Sequence, residues 1–345
     1  MEYVLAVDGG NSKTIALVAA LDGTILGAGR SGRGDIYTAE APGMSSEQAA
    51  LANIERAALD ALQQAGATPD DLVVGAFGMA GADWPEDYEV LQSGLQARGL
   101  GQKIVVQNDA MAVLHTGTTH NVGVSVVCGT GATTGARGPD GRTWYTSYWQ
   151  WGVEGGAQLG WKATIAILRS EIGIEPPTKL RRHLLDLYQV DTVEEVLHLI
   201  TGRPSRGKRM PHLGNLTPVL FDEADGGDVV ARTVLQEHGR ELGKYATAAA
   251  QQVGIDGTAF PLVLAGGVLR HPSNVMVDAI VEQVHITSPE VQPVRSPFEP
   301  VVGVLYTALE TAGIATDEAH LTRIRATLPD AALFETRSVH LDMET

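Results

Sequence analysis

The chain has 345 residues, 44% hydrophobic and 19% charged, with 40 glycines against five phenylalanines. That length exceeds one small core and favours two domains or one large one, and the composition is that of a soluble globular protein. Twenty-five basic against 41 acidic residues give a net charge of −16, which argues against nucleic acid or an anionic membrane surface as partner, since both require a basic footprint.

A single cysteine, Cys128, permits no internal disulfide and fits a reducing cytoplasm. The N-terminus lacks a basic n-region, and no apolar run approaches spanning length, so a cytoplasmic protein with no signal peptide and no membrane partner is expected.

In chain order, Tyr3–Val7 reads as a buried strand, followed by the loop Asp8-Gly-Gly-Asn-Ser-Lys-Thr14. Thr14–Leu21 is a second strand, and Asp22-Gly23 is a hairpin signal before Thr24–Ala28. Residues 45–65 have helical spacing, with Ala49, Ile54, Ala57, Ala58 and Leu62 on one side. Strands at 72–77 and 103–106, a helix at 85–98 and a helix start at 110–116 complete this half.

The pattern then restarts. Val122–Val127 is a strand, Cys128-Gly-Thr-Gly-Ala-Thr-Thr-Gly135 a polar glycine loop, and Gly138–Gly141 a turn. AVDGGNSKTIALVAALDGTIL and SVVCGTGATTGARGPDGRTWY share the order strand, loop, strand, turn, strand, offset by roughly 120 residues, the mark of an internal duplication.

Amphipathic stretches follow over 162–172, 178–188, 192–200, 216–222 and 228–253, then a strand at 260–264 that enters Ala265-Gly-Gly-Val-Leu-Arg270. The basic run 203–209 reads as a solvated loop. Residues 301–313 form an apolar helix, and the mixed-charge end of the chain reads as a surface extension. The expected fold is α/β: two related domains, 1–117 and 118–315, with mixed sheets flanked by helices and a cleft between them. The second carries a helical insertion, its last helix is a candidate to pack back on the first, and 316–345 extend beyond it.

Four elements stand at strand ends, where ligands gather in α/β folds: DGGNSKT, the QNDA of Gln107–Ala110, CGTGATTG and LAGGVLR. Consecutive small residues let backbone N–H groups converge on an anion, so the first and third could clamp a triphosphate from both sides. Neither has Walker A spacing, and GTGATTG places its last glycine one residue late for a dinucleotide fingerprint. Asp8 beside such a loop either bonds its own turn or faces Mg²⁺ through water. Asp109 either caps the following helix or serves as a base toward a hydroxyl.

These four loops in this order, with the GADWPED stretch at 81–87 and the terminal PVVGVLYTAL helix, resemble the N-acetylglucosamine kinase and BadF/BadG/BcrA/BcrD ATPase family of the actin-like superfamily. The likeness runs from residue 3 to about 313 and implies two actin-like (ribonuclease H-like) domains around a nucleotide cleft. It implies Asp8 near Mg²⁺, Asn11, Ser12, Lys13 and Thr14 around the β- and γ-phosphates of ATP, and Thr130 and Gly131 on phosphate from the opposite domain. Gly266 and Gly267 would lie against adenosine, and Asp109 would take the proton of a sugar hydroxyl. A homodimer is compatible with the resemblance.

The match weakens on the substrate side. Gly152-Val-Glu-Gly-Gly156 stands where the family carries GDEGS, so Val153 replaces an Asp, and Gly34-Asp35-Ile36-Tyr37 stands where an Asn is usual. Asp35, Tyr37, Trp151 and Glu154 are the candidate acceptor contacts. Trp144, Trp149, Trp151 and Trp161 crowd beside this gap, either to stack on an acceptor more apolar than a hexosamine or to pack a domain junction.

The family branch that bridges two subunits with an iron–sulfur cluster needs paired cysteines, which Cys128 lacks. His115, His120, His183 and His198 show no metal-ligand spacing. Two functions stay open: a kinase for a sugar-type acceptor, and a regulatory protein that closes on ATP without an acceptor.

Overall fold

The computed structural model describes residues 1–118, 121–203 and 213–335. His120 and all but Arg203 of the basic run lie outside them. The first half runs β1 (Tyr3–Gly9), β2 (Thr14–Ala20), β3 (Ile25–Ser31), α1 (Ser46–Ala65), β4 (Leu72–Met79), α2 (Pro85–Gln96), β5 (Lys103–Asn108) and α3 (Asp109–Gly117).

The second half opens with β6 (Gly123–Cys128), β7 (Ala132–Arg137) and β8 (Thr143–Tyr145). Five helices follow: α4 (Gly156–Glu171), α5 (Leu180–Tyr188), α6 (Val193–Thr201), α7 (Leu216–Asp225) and α8 (Val229–Gln252). It closes with β9 (Pro261–Ala265), α9 (Val275–His285), β10 (Gln292–Arg295) and α10 (Pro300–Thr311), after which comes α11 (Glu318–Thr327).

The two sheets have matching topology: β3-β2-β1-β4-β5 and β8-β7-β6-β9-β10. In each, the first three strands form an antiparallel meander and the last two join parallel to the first. The duplication read from the hairpins is therefore a duplication of whole sheets. Central β1 and β4 are runs of Val, Leu and Ala because helices cover both their faces: α1 residues Ile54, Ala57 and Ala58 on one side, α10 residues Val301, Val304 and Leu305 on the other.

α1 starts at a capping box between Ser45 and Gln48 and stops at Gly66 in the left-handed region.

The last helix of each half crosses to the other sheet. α3 lays Met111, Val113 and Leu114 against Val263 and Ala265 of β9, while α10 packs on β1 and β2 of the first sheet. The two helices touch where Gly303 has no side chain, since a Cβ there would stand 1.9 Å from the Ala112 carbonyl oxygen. This crossed pair joins the lobes beneath the cleft.

α9, α11 and β10 escape the sequence pattern. β10 is a four-residue strand with a proline. α11 fully buries only Ile324, so it shows little period. Yet Leu321, Leu328, Leu333 and Phe334 pack with it against the cluster under β1, β2 and α10. The described part of the expected surface extension is thus docked on the first lobe. Among the described residues no helix is long and apolar enough to cross a membrane.

Candidate active site

The turn after β1 closes with Gly10 N donating to the Lys13 carbonyl at 3.0 Å, and Gly34 N donates to the Gly10 carbonyl at 3.1 Å. It meets its counterpart after β6 directly: the Ser12 and Thr130 hydroxyls are 2.6 Å apart, and Asn11 Nδ2 lies 3.7 Å from where a Gly131 Cβ would stand. The second turn is braced from behind by the start of α4, where Gly156 N donates to the Gly129 carbonyl at 2.8 Å. Gly155 fits only as glycine, because a Cβ would lie 2.3 Å from both the Gly129 and Thr130 carbonyl oxygens. Gly266 and Gly267, just past β9, come up against this second turn, with Val268 N bonded to the Cys128 carbonyl at 3.0 Å.

Thr14 leaves this group. Its hydroxyl donates to the Gly32 carbonyl at 2.8 Å and the residue is fully buried, because strand alternation turns it away from the neighbours Asn11 and Ser12 use. Lys13 also faces elsewhere, donating to the Phe334 carbonyl.

The helix cap at α3 is Asn108: its Oδ1 accepts from Ala110 N at 3.1 Å, and its Nδ2 reaches the Ala82 carbonyl and Asp83 Oδ1, each at 3.2 Å. Asp109, one residue on, is spared that task. Burial and then the Asp83 charge push its carboxyl up to about 7, against the Ala110 amide. Asp8, near the end of β1 opposite Gly78, is likewise pushed up to about 7, by burial first and then by Asp109 and Glu299, with Lys13 and Arg270 opposing. A buried Asp8 whose charge Asp109 and Glu299 disfavour suits a cation beside it. No group of three or more His, Cys, Asp or Glu side chains forms a metal cage among the described residues, so a magnesium ion would have to be held mainly by phosphate and water, with Asp8 beside them.

Behind Asp109 lies an acidic wall of Asp35, Asp83 and Asp87, of which Asp83 and Asp87 stood in the sequence only as part of the GADWPED stretch. Asp83 is raised to about 6 by burial, opposed by the Ser147 hydroxyl and reinforced by Asp87 and Asp35. Asp87 accepts from the Tyr37 hydroxyl at 2.7 Å and from Trp84 N at 2.7 Å. Asp35 accepts from Tyr37 N at 2.8 Å and the Thr38 hydroxyl at 2.9 Å. An acid just past the end of β4 was the available signal.

Aromatic rings close this end across the cleft. Tyr148 of the second lobe stacks on Trp84 with centroids 6.0 Å apart and 13° between planes, and meets Tyr37 edge-on at 6.2 Å. The Tyr88 and Tyr145 hydroxyls join the lobes at 3.0 Å.

The expected tryptophan cluster disperses. Trp144 packs on the second core, Trp149 and Trp151 are 73% and 74% exposed and Trp161 projects from α4. Val153 is 4% exposed and points into the second core, because Gln150 Nε2 holds its carbonyl at 2.9 Å. Val153, turned into the core, therefore offers no apolar surface to an acceptor.

Glu154 presents an exposed side chain while its carbonyl accepts from His238 Nε2 at 2.9 Å. Lys162 Nζ sits 2.9 Å from His238 Nδ1; the ammonium can only donate, so the ring proton is on Nε2. Burial, then the Lys162 charge, drives the His238 pKa down to about 3.

Two lobes of one repeated sheet, each offering a glycine turn to the other, define the two-domain actin-like fold, as expected from the four loops. Residues 5–156 match the model of the BadF/BadG/BcrA/BcrD ATPase family. An N-acetylmuramic acid/N-acetylglucosamine kinase of Clostridium acetobutylicum is 27% identical over 295 residues, 85% of this chain and 93% of its own length. An N-acetyl-D-glucosamine kinase of Dictyostelium discoideum is 24% identical over 324 residues, 90% and 98% of the two chains. Among solved structures, a ROK family glucokinase from Streptomyces griseus in complex with glucose and AMPPNP superposes with a TM-score of 0.57 at 18% identity, covering 89% of this chain and 99% of that one.

Proposed function

We propose that the chain is an ATP-dependent sugar kinase that moves the γ-phosphoryl group of ATP to a hydroxyl of a sugar or amino sugar, in the N-acetylhexosamine class named for its curated relatives. The observation that carries this is Asp109, a carboxylate relieved of capping by Asn108, raised to about 7, and close enough in charge to feel Asp83 of the acidic wall and to act on Asp8 at the first glycine turn. In this reading Asn11, Ser12, Thr130 and Gly131 cradle the phosphates through N–H and hydroxyl donors. Gly266 and Gly267 leave room for adenosine, and Asp8 lies beside Mg²⁺, which when bound neutralises charge on the phosphate oxygens.

The acceptor rests against Tyr37, Asp35 and Asp83, with Glu154 reaching in from the second lobe. Asp109 takes the hydroxyl proton as that oxygen bonds to the γ-phosphorus and the bond to the β-phosphate oxygen breaks, giving ADP and a sugar phosphate. Closure of the lobes excludes water from the transfer. A purely regulatory ATP-binding protein has no use for Asp109. Coupled ADP release with a panel of sugars and amino sugars tests the reading: a sugar must raise turnover well above the water-driven background, and Asp109→Asn must remove that gain.

A further inference from the structure

The described end of the chain reaches the nucleotide side of the cleft. α11 lies along β3, where Ile25 N donates to the Thr327 hydroxyl at 3.0 Å and Arg323 donates to the Asp22 carbonyl at 3.3 Å. The short turn Ala331–Leu333 follows, started by Asp330, whose Oδ1 accepts from Ala332 N at 2.8 Å. Three consecutive carbonyls then meet two cations. Arg30 of β3 donates to Ala332 at 3.4 Å and to Leu333 at 2.8 Å, and Lys13 of the first glycine turn donates to Phe334. Leu333 and Phe334 pack their side chains on the cluster under β1, β2 and α10.

Lys13 is thus held by a neutral oxygen in a half-buried place. Burial lowers its pKa, and Arg30 and Arg270 add to that while Glu299 and Asp8 oppose. A triphosphate held by Ser12 and Thr130 would bring charged oxygens within one residue of Lys13, and a charge-assisted hydrogen bond is roughly twice as strong as one to a neutral carbonyl. We propose that the C-terminal turn and the nucleotide compete for Lys13, so that residues 331–335 act as an internal strap that weakens ATP binding and is released by it. This rests on the reading of the first turn as a phosphate site. Linkage makes the competition reciprocal: whatever the strap costs the nucleotide, the nucleotide costs the strap.

The test measures AMPPNP·Mg²⁺ binding by titration calorimetry on the full chain, on a chain ending at Pro329, and on full-length Leu333→Asp, which undocks the turn without shortening the chain. Both variants are expected to bind about tenfold tighter, a change of about 1.4 kcal/mol, and Lys13→Met is expected to erase the difference. Hydrogen exchange on the unaltered full chain supplies a readout that needs no variant: nucleotide should speed exchange at Ala332–Phe334. Equal or weaker binding by the folded variants, or slower exchange with nucleotide, overturns the strap, because Lys13 would then serve carbonyl and phosphate together. If no form binds AMPPNP, the phosphate reading of the turn falls with it, an outcome distinct from equal binding.

Discussion

The two lobes share strand order and sense, yet matching positions do different chemistry. The end of β1 and the turn after it carry Asp8 and Lys13; the turn after β6, Gly129-Thr-Gly131, carries no charge. Past β4 the chain presents Asp83 and Asp87, whereas past β9 it presents Gly266 and Gly267. The sharpest contrast lies where the crossing helices start. Glu299 stands at the N-cap position of α10 without a side-chain cap bond and is paired with Arg270, while Asp109, one residue past the Asn108 cap of α3, has no ion pair among the described residues and a carboxyl raised to about 7. Duplication supplied two facing turns; divergence at the strand ends then put the raised carboxyl of Asp109 and the acidic wall in one lobe and small residues in the other.

The largest effect that could break this comparison is at its paired acids. Asp109→Asn should lower kcat by about 10²–10⁴-fold with little change in the KM for ATP, whereas Glu299→Gln should keep at least roughly a tenth of the activity, since its partner contact is structural. Comparable losses in initial-rate assays would remove the asymmetry. Because Asp109 must be ionised to accept a proton and its carboxyl sits near 7, kcat/KM should fall as pH drops below about 7. Next in size, Gly155→Ala pushes a methyl group at two carbonyls of the second turn. It should cost about 1–3 kcal/mol and raise the KM for ATP more than that for the acceptor, read by thermal melting and rate assays.

Much of the framework was legible because buried central strands must be apolar and strand-end turns must be small. Hence the repeated hairpin, the four loops and the positions of Asp8, Asn11, Ser12, Thr130 and Asp109 could be read from the chain. What could not be read is which way a loop side chain turns. Val153 faces inward and Glu154 outward because Gln150 and His238 hold their carbonyls, and His238 comes from α8, far along the chain. The choice between Asn108 and Asp109 as cap turned on Asn108 also finding the Ala82 carbonyl, a contact no local pattern encodes. α11 stayed hidden since its apolar partners lie in β1, β2 and α10.

A smaller effect sharpens the acceptor side of the contrast. Asp83→Asn should raise the acceptor KM by about tenfold, the scale of one lost charge-assisted hydrogen bond, while leaving the KM for ATP nearly unchanged. A shift in the ATP constant instead would place Asp83 with the nucleotide and blur the division between the wall and the turns.

The smallest expected effect is on stability, and the lobes should respond to pH in opposite directions. Asp8 and Asp109 titrate near 7 when folded, against 3.8 as ordinary carboxyls. Between about 4 and 7 the folded state therefore binds more protons than the unfolded one, and ligand-free stability contributed by the first lobe should fall as pH rises through that window. His238 works the other way. Its folded pKa of about 3 lies below the ordinary 6.5, so the unfolded state takes the proton first and stability is lost as pH falls below about 6.5. Over the pH range the two windows share, calorimetric melts should show His238→Gln making stability fall more steeply as pH rises and Asp109→Asn making it fall less steeply. A single slope abolished by both substitutions would mean that the crossed helices α3 and α10 make the lobes one titrating unit, and the contrast drawn between them would hold for chemistry but not for stability.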